Sequence, residues 1–347
     1  MKYKFLPIIL FIYAILSIDS IEFPKDHSFH KDFQVEWCYF VGNLTSKTGV
    51  ELGYELSFFH ANIRGKRELF PVHFAIANIS KKKHFTAQTL ERNLGNVAVY
   101  NDSLIRSGDY KIEILGDSKF KIFAKPRNES ISLELSLSVD KKEILLHGDK
   151  GYSIKSNSNQ NLYSYYYSIP RLKTEGNLTI NLEKFEIETG TSWMDHEWSA
   201  PISKDNSIHK TTIVSEENSW DWLCLNLSDG SDLMLFNFRK NKSAAPETFG
   251  TLRLPTGEIK TFAPNDKILL SAKGNIWKSS ETNKHYPMQW EILSEDIQLT
   301  VNARFSEQEF IGFKTTGNSY WEGAIQATGS LKNSKVTGKG YLELKGY

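Results

Sequence analysis

Apolar and polar residues alternate at every second position through most of this chain, and no window sustains a helical period. That pattern sends one side of a strand into a core and the other outward. It restricts the chain to all-β architectures. Residues 177–188 show it most clearly, with Leu178, Ile180, Leu182, Phe185 and Ile187, and read as one strand. Further strands are predicted over residues 34–44, 51–59, 70–79, 110–115, 119–124, 130–139 and 143–147. After the middle of the chain the pattern restarts at 210–214, 219–227, 232–238, 248–254, 268–272, 288–293, 297–303, 319–327 and 336–344. Ser228-Asp229-Gly230-Ser231 is a hairpin signal and Pro255-Thr256-Gly257-Glu258 a second turn. Regular spacing with polar turns points to sandwiches or up-and-down barrels.

A chain of 347 residues suits two domains or one large β domain. There is a weak internal echo: Trp37-Cys38-Tyr39 to Leu44, a turn, then 53–59, against Trp220-Asp221-Trp222 to Leu227, a turn, then 233–238. Two copies of one β unit would explain it. Residues 201–207 read as a linker. The net charge of +1 gives no electrostatic reason for a nucleic-acid partner. The first 20 residues, basic and then apolar from Phe5 to Leu16, read as a signal peptide, so the protein is expected to be secreted or periplasmic. That apolar run is short for a bilayer span and no second one follows, so no transmembrane anchor is expected. Cys38 and Cys224 sit in apolar aromatic strands and are expected to be free, buried thiols.

The densest chemistry lies in Gly190-Thr-Ser-Trp-Met-Asp-His-Glu-Trp198. On a strand, Trp193, Asp195 and Glu197 share one face, and Met194, His196 and Trp198 share the other. Ionisable groups set against large rings have shifted pKa values, which is common at functional sites. A structural hydrogen-bonded knot between sheets is an equally open reading of the same residues. Further acid–base groups among aromatics are Glu36 beside Trp37, His73 within Phe70 to Phe74, Asp221 between Trp220 and Trp222, and Glu322 after Tyr320-Trp321. Together they fit a cavity in which a proton donor meets an apolar substrate. His196-Glu197 does not continue into a zinc-protease motif, since Ala200 stands where the second His would be. No serine elbow, phosphate-binding glycine loop or dinucleotide fingerprint is present, and the nine His are scattered, so neither metal nor cofactor is expected.

A longer series of motifs resembles one family. It runs from Glu36-Trp37-Cys38-Tyr39-Phe40-Val41-Gly42-Asn43-Leu44 and His73-Phe74-Ala75, through Tyr166-Tyr167-Ser168, Arg171 and Gly176, to Ser192-Trp193-Met194-Asp195-His196-Glu197-Trp198-Ser199. Trp220-Asp221-Trp222, Gly250-Thr251-Leu252, Tyr320-Trp321-Glu322-Gly323-Ala324 and Gly340-Tyr341-Leu342-Glu343-Leu344 continue it. Residues 26–347 resemble the AttH-like, lipocalin-like proteins related to carotenoid 1,2-hydratase (hydroxyneurosporene synthase). The resemblance implies two tandem lipocalin-like (calycin-type) antiparallel β-barrels, here residues 26–200 and 201–347, with the central motif near their junction. It implies cofactor-independent, acid-catalysed hydration or isomerisation of an apolar isoprenoid or lipid. A non-catalytic carrier of an apolar ligand is the other reading. Asp195, His196 and Glu197 are the catalytic candidates. Trp37, His73, Tyr166, Trp193, Trp198, Asp221, Trp222 and Trp321 are the substrate-binding candidates. The hydratases' His-x-Trp pair looks like His196 and Trp198, which favours that face as the cavity side. Their Tyr-x-Asp pair is not reproduced: Asp221 is the nearest acid.

Overall fold

The computed structural model describes residues 21–63, 67–139, 144–157, 159–201, 219–239, 245–263 and 266–347. The expected signal peptide, the strand expected at 210–214 and all of the expected linker except Pro201 lie outside the described residues.

The described strands form two antiparallel sheets. The first holds β1 (Phe33–Ser46), β2 (Glu51–Ile63), β3 (Arg67–Asn78), β4 (Lys83–Arg92), β5 (Ala98–Asn101), β6 (Leu104–Ser107), β7 (Tyr110–Ile114), β8 (Lys119–Ala124), β9 (Ile131–Ser138), β10 (Leu145–Leu146), β11 (Tyr152–Ile154), β12 (Tyr163–Ile180) and β13 (Glu183–Pro201). Its order is β4-β3-β2-β1-β13-β12-β9-β8-β7-β6-β5, with β10 and β11 also on β12. β4 returns to pack near β6 and β9, and the sheet curls into a nearly closed barrel. The second sheet is a half-barrel built from β14 (Ser219–Leu227), β15 (Asp232–Arg239), β16 (Glu247–Arg253), β17 (Ile259–Phe262), β18 (Leu269–Lys278), β19 (His285–Leu293), β20 (Ile297–Ala303), β21 (Glu309–Gly312), β22 (Asn318–Leu331) and β23 (Ser334–Lys345). Its order is β17-β16-β15-β14-β23-β22-β20-β19-β18, with β21 on β22. The all-β, lipocalin-like expectation therefore holds.

Three large apolar cores, and a small fourth of Ala75, Phe310 and Tyr320, follow from the two curled sheets among the described residues. Phe40, Leu56, Phe74 and Met194 fill the first barrel. Leu223, Trp290, Trp321 and Leu342 fill the second. Tyr39, Val41, Trp193, Trp222, Cys224, Phe236 and Tyr341 lie between them. Each large side chain fully buried there contributes roughly 1.5–3 kcal/mol. Strands β1, β13, β14 and β23 thus have apolar neighbours on both faces, which explains unbroken runs such as Cys38-Tyr39-Phe40-Val41. At Gly53 of β2 an added Cβ would lie 2.3 Å from the Tyr341 hydroxyl, so the bare backbone admits that ring. Cys38 faces the first barrel and Cys224 the inter-sheet layer, and both are buried and free.

One expectation is corrected, and some strands were not expected at all. Residues 177–188 are not one strand. The chain reverses at Asn181 and Leu182, both at positive φ (49° and 71°), and Leu182 is 96% exposed. The inward residues change parity there, from Leu178 and Ile180 to Phe185 and Ile187, because a two-residue hairpin turn lies between. The first half of β12 and the whole of β4 carry no simple alternation. β12 is buried on both faces from Tyr166 to Pro170, and β4 is a largely polar edge.

Candidate functional site

A cavity of about 360 Å³ lies between the sheets. One wall comes from outward-facing residues of the first barrel: Trp37 and Tyr39 of β1, Phe59 of β2, His73 of β3, Tyr166 of β12, and Asp195 and Glu197 of β13. The other comes from Trp220 and Trp222 of β14, Phe236 of β15, Tyr320 and Glu322 of β22, and Glu343 of β23. Strand parity sets this membership. β1 gives Val35, Trp37 and Tyr39, with Glu36 also at the lining, and β14 gives Trp220 and Trp222, so the aromatic rings of the two opening motifs converge.

Asp195 is 3% exposed and accepts three hydrogen bonds, from the Tyr166 hydroxyl, the Ser168 hydroxyl and the Trp193 Nε1–H. Burial pushes its pKa up to about 7, against those donors, and nearby Glu197 adds to the rise. Trp222 Nε1–H donates to the Tyr166 oxygen at 3.0 Å. Behind Ser168 stands His147, with Nε2 at 2.7 Å from Ser168 Oγ and Nδ1 at 2.9 Å from Thr251 Oγ1. Burial, then Lys155, holds His147 well below the usual imidazole range. A line of polar groups thus reaches Asp195 from both sheets. Glu197 is paired with Lys155 at 2.9 Å, whose ammonium lies 4.6 Å from the Tyr166 ring centroid.

Burial raises the pKa values of Glu322 and Glu343 on the far wall, and of Glu55 on β2 behind the near one. Glu322 accepts from the Tyr39 hydroxyl and lies across from Glu343 in the β22–β23 register. Burial, then Glu55 and Glu343, drives the Glu322 pKa well up. Burial likewise raises Glu55 to about 7 and Glu343 to about 8. His73, pushed down to about 3 by burial, is neutral; its ring bonds Tyr320 at 2.6 Å and Thr315 at 2.7 Å.

The structure brings Trp37, His73, Tyr166, Asp195, Glu197 and Trp222 to one cavity, with Trp193 behind Asp195. Four candidates point elsewhere. His196 and Trp198 face the interior of the first barrel, where His196 Nε2 lies 2.7 Å from Glu36 and Trp198 stacks on His30 with centroids 4.2 Å apart. The cavity lies on the Asp195 side of β13, not on the His196 side favoured above. Asp221 and Trp321 face the second barrel. Asp221 is held there by Arg239, Asn237 and Tyr347, and Trp321 Nε1–H donates to the Ser306 carbonyl at 2.6 Å. Tyr39, Ser168, His147, Glu55 and Glu343 went unmarked as site residues. A lone carboxyl in an apolar strand, as in Tyr341-Leu342-Glu343-Leu344, was the available signal.

A model of the AttH-like family matches residues 15–347. The kievitone hydratase of Fusarium solani subsp. phaseoli is 21% identical over 268 residues, covering 74% of this chain and 71% of that protein. Among solved structures, an AttH protein from Nitrosomonas europaea superposes with a TM-score of 0.82 at 27% identity, over 96% of this chain and 99% of that one. The kievitone hydratase of Nectria haematococca shares the fold, with a TM-score of 0.72 at 15% identity over 95% and 94% of the two chains.

Proposed function

Because the chain belongs to the AttH-like family, we propose that it is a hydratase, adding water to a carbon–carbon double bond of an apolar isoprenoid or lipid held between the sheets. The observation that carries this reading is Asp195: a buried carboxyl with a pKa of about 7 on the wall of an aromatic cavity. Such a group is protonated in a large fraction of molecules at neutral pH and can release that proton.

In the first step the π electrons of the alkene take the Asp195 proton, forming a C–H bond and a carbocation at the more substituted carbon. The faces of Trp222, Tyr39 and Trp220 stabilise that cation by their ring quadrupoles, an effect strengthened where water is excluded. A water molecule adds through its lone pair, and its surplus proton returns to the Asp195 carboxylate. The net change is one H₂O added, with the acid restored. Glu322 and Glu343, whose pKa values burial raises, offer hydrogen bonds to that water.

The test is incubation with prenylated and isoprenoid alkenes in heavy-oxygen water, read by mass spectrometry. Product carrying one labelled hydroxyl is expected, and its loss in Asp195→Asn ties it to the site. A second reading, a carrier of an apolar ligand, draws on the three hydrogen bonds that anchor Asp195 within its own sheet and on the Trp222 bond to Tyr166 that ties them to the second sheet. Under that reading the same compounds bind, are recovered unchanged, and bind Asp195→Asn equally well.

A further inference from the structure

The N-terminal segment before β1 lies across one end of the first barrel. Ser28 Oγ–H donates to the Asn101 carbonyl, a His27 ring nitrogen meets the Asp117 carbonyl at 3.0 Å, and Asn62 donates to the Lys31 carbonyl at 2.9 Å. Beneath it sits Glu36, fully buried, with imidazoles gathered round its carboxylate. His30 Nδ1 is 2.6 Å and His196 Nε2 2.7 Å from the same oxygen. His60 Nδ1 is 3.8 Å from the other oxygen. The candidate ligand atoms of His30, Glu36 and His196 all lie within 4.8 Å of one another.

Two features separate this cluster from a common buried ion pair. First, the outer nitrogen of every imidazole is held by an oxygen. His30 Nε2 faces Asp26 at 3.4 Å, His60 Nε2 faces Glu68 at 3.0 Å, and His196 Nδ1 faces the Tyr167 hydroxyl at 3.1 Å. That arrangement orients imidazoles that bind a metal through their other nitrogen. Second, His60 Nδ1 is buried without a hydrogen-bond partner. With Nε2–H given to Glu68, its lone pair points at a carboxylate, an opposition that a cation between them would relieve.

We propose that His30, Glu36, His60 and His196 form a binding site for a divalent first-row transition ion, with zinc the best match. Imidazole and carboxylate donors suit zinc, whereas calcium and magnesium favour all-oxygen sets. Four protein ligands make a closed site of the structural kind. Tetrahedral bonds near 2.0–2.1 Å set ligand atoms about 3.3 Å apart. The His30 and His196 contacts open to reach that spacing, and His60 closes in. The ion would join the N-terminal segment, through His30, to β1, β2 and β13, and so fasten that segment over the barrel end. This site centres on the face of β13 opposite Asp195; Glu36 and His60 also border the cavity between the sheets, but metal uptake is read without reference to hydration.

The test uses the full chain, stripped with a chelator and titrated with Zn²⁺ and with Co²⁺. Saturable uptake of one ion, a higher melting temperature and the intense visible absorption of four-coordinate cobalt are expected. His30→Ala and His60→Ala should each weaken zinc binding at least tenfold, and Asp26→Asn, which removes a charge beside His30 Nε2 but no ligand, by a smaller factor. If His30→Ala fails to fold, His30→Gln replaces it. Absence of one-to-one uptake overturns the proposal, as does binding that His30→Ala and His60→Ala leave unchanged, which would mark a surface site elsewhere. Uptake with no rise in melting temperature also counts against it, because an ion placed here must bind the folded state selectively.

Discussion

Asp195 and His196 are consecutive in the chain, yet they serve different compartments. Asp195 faces the cavity between the sheets, and His196 faces Glu36 inside the first barrel. One strand therefore carries two separable polar centres, and single substitutions can distinguish them.

Asp195→Asn removes the transferable proton and keeps the shape of the side chain. Turnover should fall by about 100-fold or more, with ligand binding retained. Asp195→Ala should also destabilise the fold by about 1–3 kcal/mol, because Tyr166, Ser168 and Trp193 lose their acceptor. Paired rate and melting measurements decide this. A variant that melts early but turns over normally would leave Asp195 a purely structural residue.

Stability should fall as pH rises from about 6.5 to 8. Asp195 rises from 3.8 to about 7 on folding, and Glu343 from 4.5 to about 8. Folded-state pKa values raised in this way give stability that is fully present below the unfolded pKa and is lost as pH climbs through the folded one. His30, raised from 6.5 to about 9 with Glu36 and Asp26 beside it, acts in the same direction. His27 and His73 are depressed to about 4 and about 3, so they add stability only up to about pH 6.5. Thermal melts across this range should fall on the alkaline side, and Asp195→Asn should flatten part of the decline. Turnover should drop above about pH 7 as the acid ionises.

Glu322→Gln should raise the melting temperature at pH 8 relative to wild type. Burial beside Glu55 and Glu343 penalises a negative charge at this position, and the amide carries none. The rate should change by less than about 10-fold, far below the effect at Asp195, because Glu322 here only hydrogen-bonds the water. A 100-fold loss would make it a proton-transfer group instead.

Leu182→Gly should stabilise the protein by about 0.5–1 kcal/mol. The leucine occupies the left-handed region at φ 71° on an exposed tip, where glycine fits without the Cβ clash. Chemical denaturation resolves a change of this size. Unchanged stability would mean that the entropy of a freer unfolded chain offsets the relief.

The architecture was legible because period two needs only residue types and the longer strands mostly declare it, whereas β4, β5, β6, β11, β17, β21 and the first half of β12 are too short, too polar or too uniformly buried to do so. The parity change between Ile180 and Phe185 even marked the missed hairpin, although Leu182, apolar yet exposed, concealed it. The partition of 191–198 into two faces was also legible, since it follows from the pleat alone. What lies beyond each face was not. Whether Asp195 or His196 meets the cavity depends on which side of β13 the second sheet covers, and that is set by residues more than twenty positions away. Glu322 and Glu343 become neighbours only through the β22–β23 register, which no local pattern reveals.

The outward faces of the barrel and the half-barrel form the cavity, so its shape is set by residues of the inter-sheet layer rather than by either interior. Exchanging Trp37, Phe59, Trp220 or Phe236 would recut the chamber while leaving Phe40, Leu56, Leu223 and Leu342 undisturbed in their own interiors. A lineage built on this plan can explore new small molecules by drift along alternate positions of a few strands. Neither interior has to be rebuilt for each new chemistry.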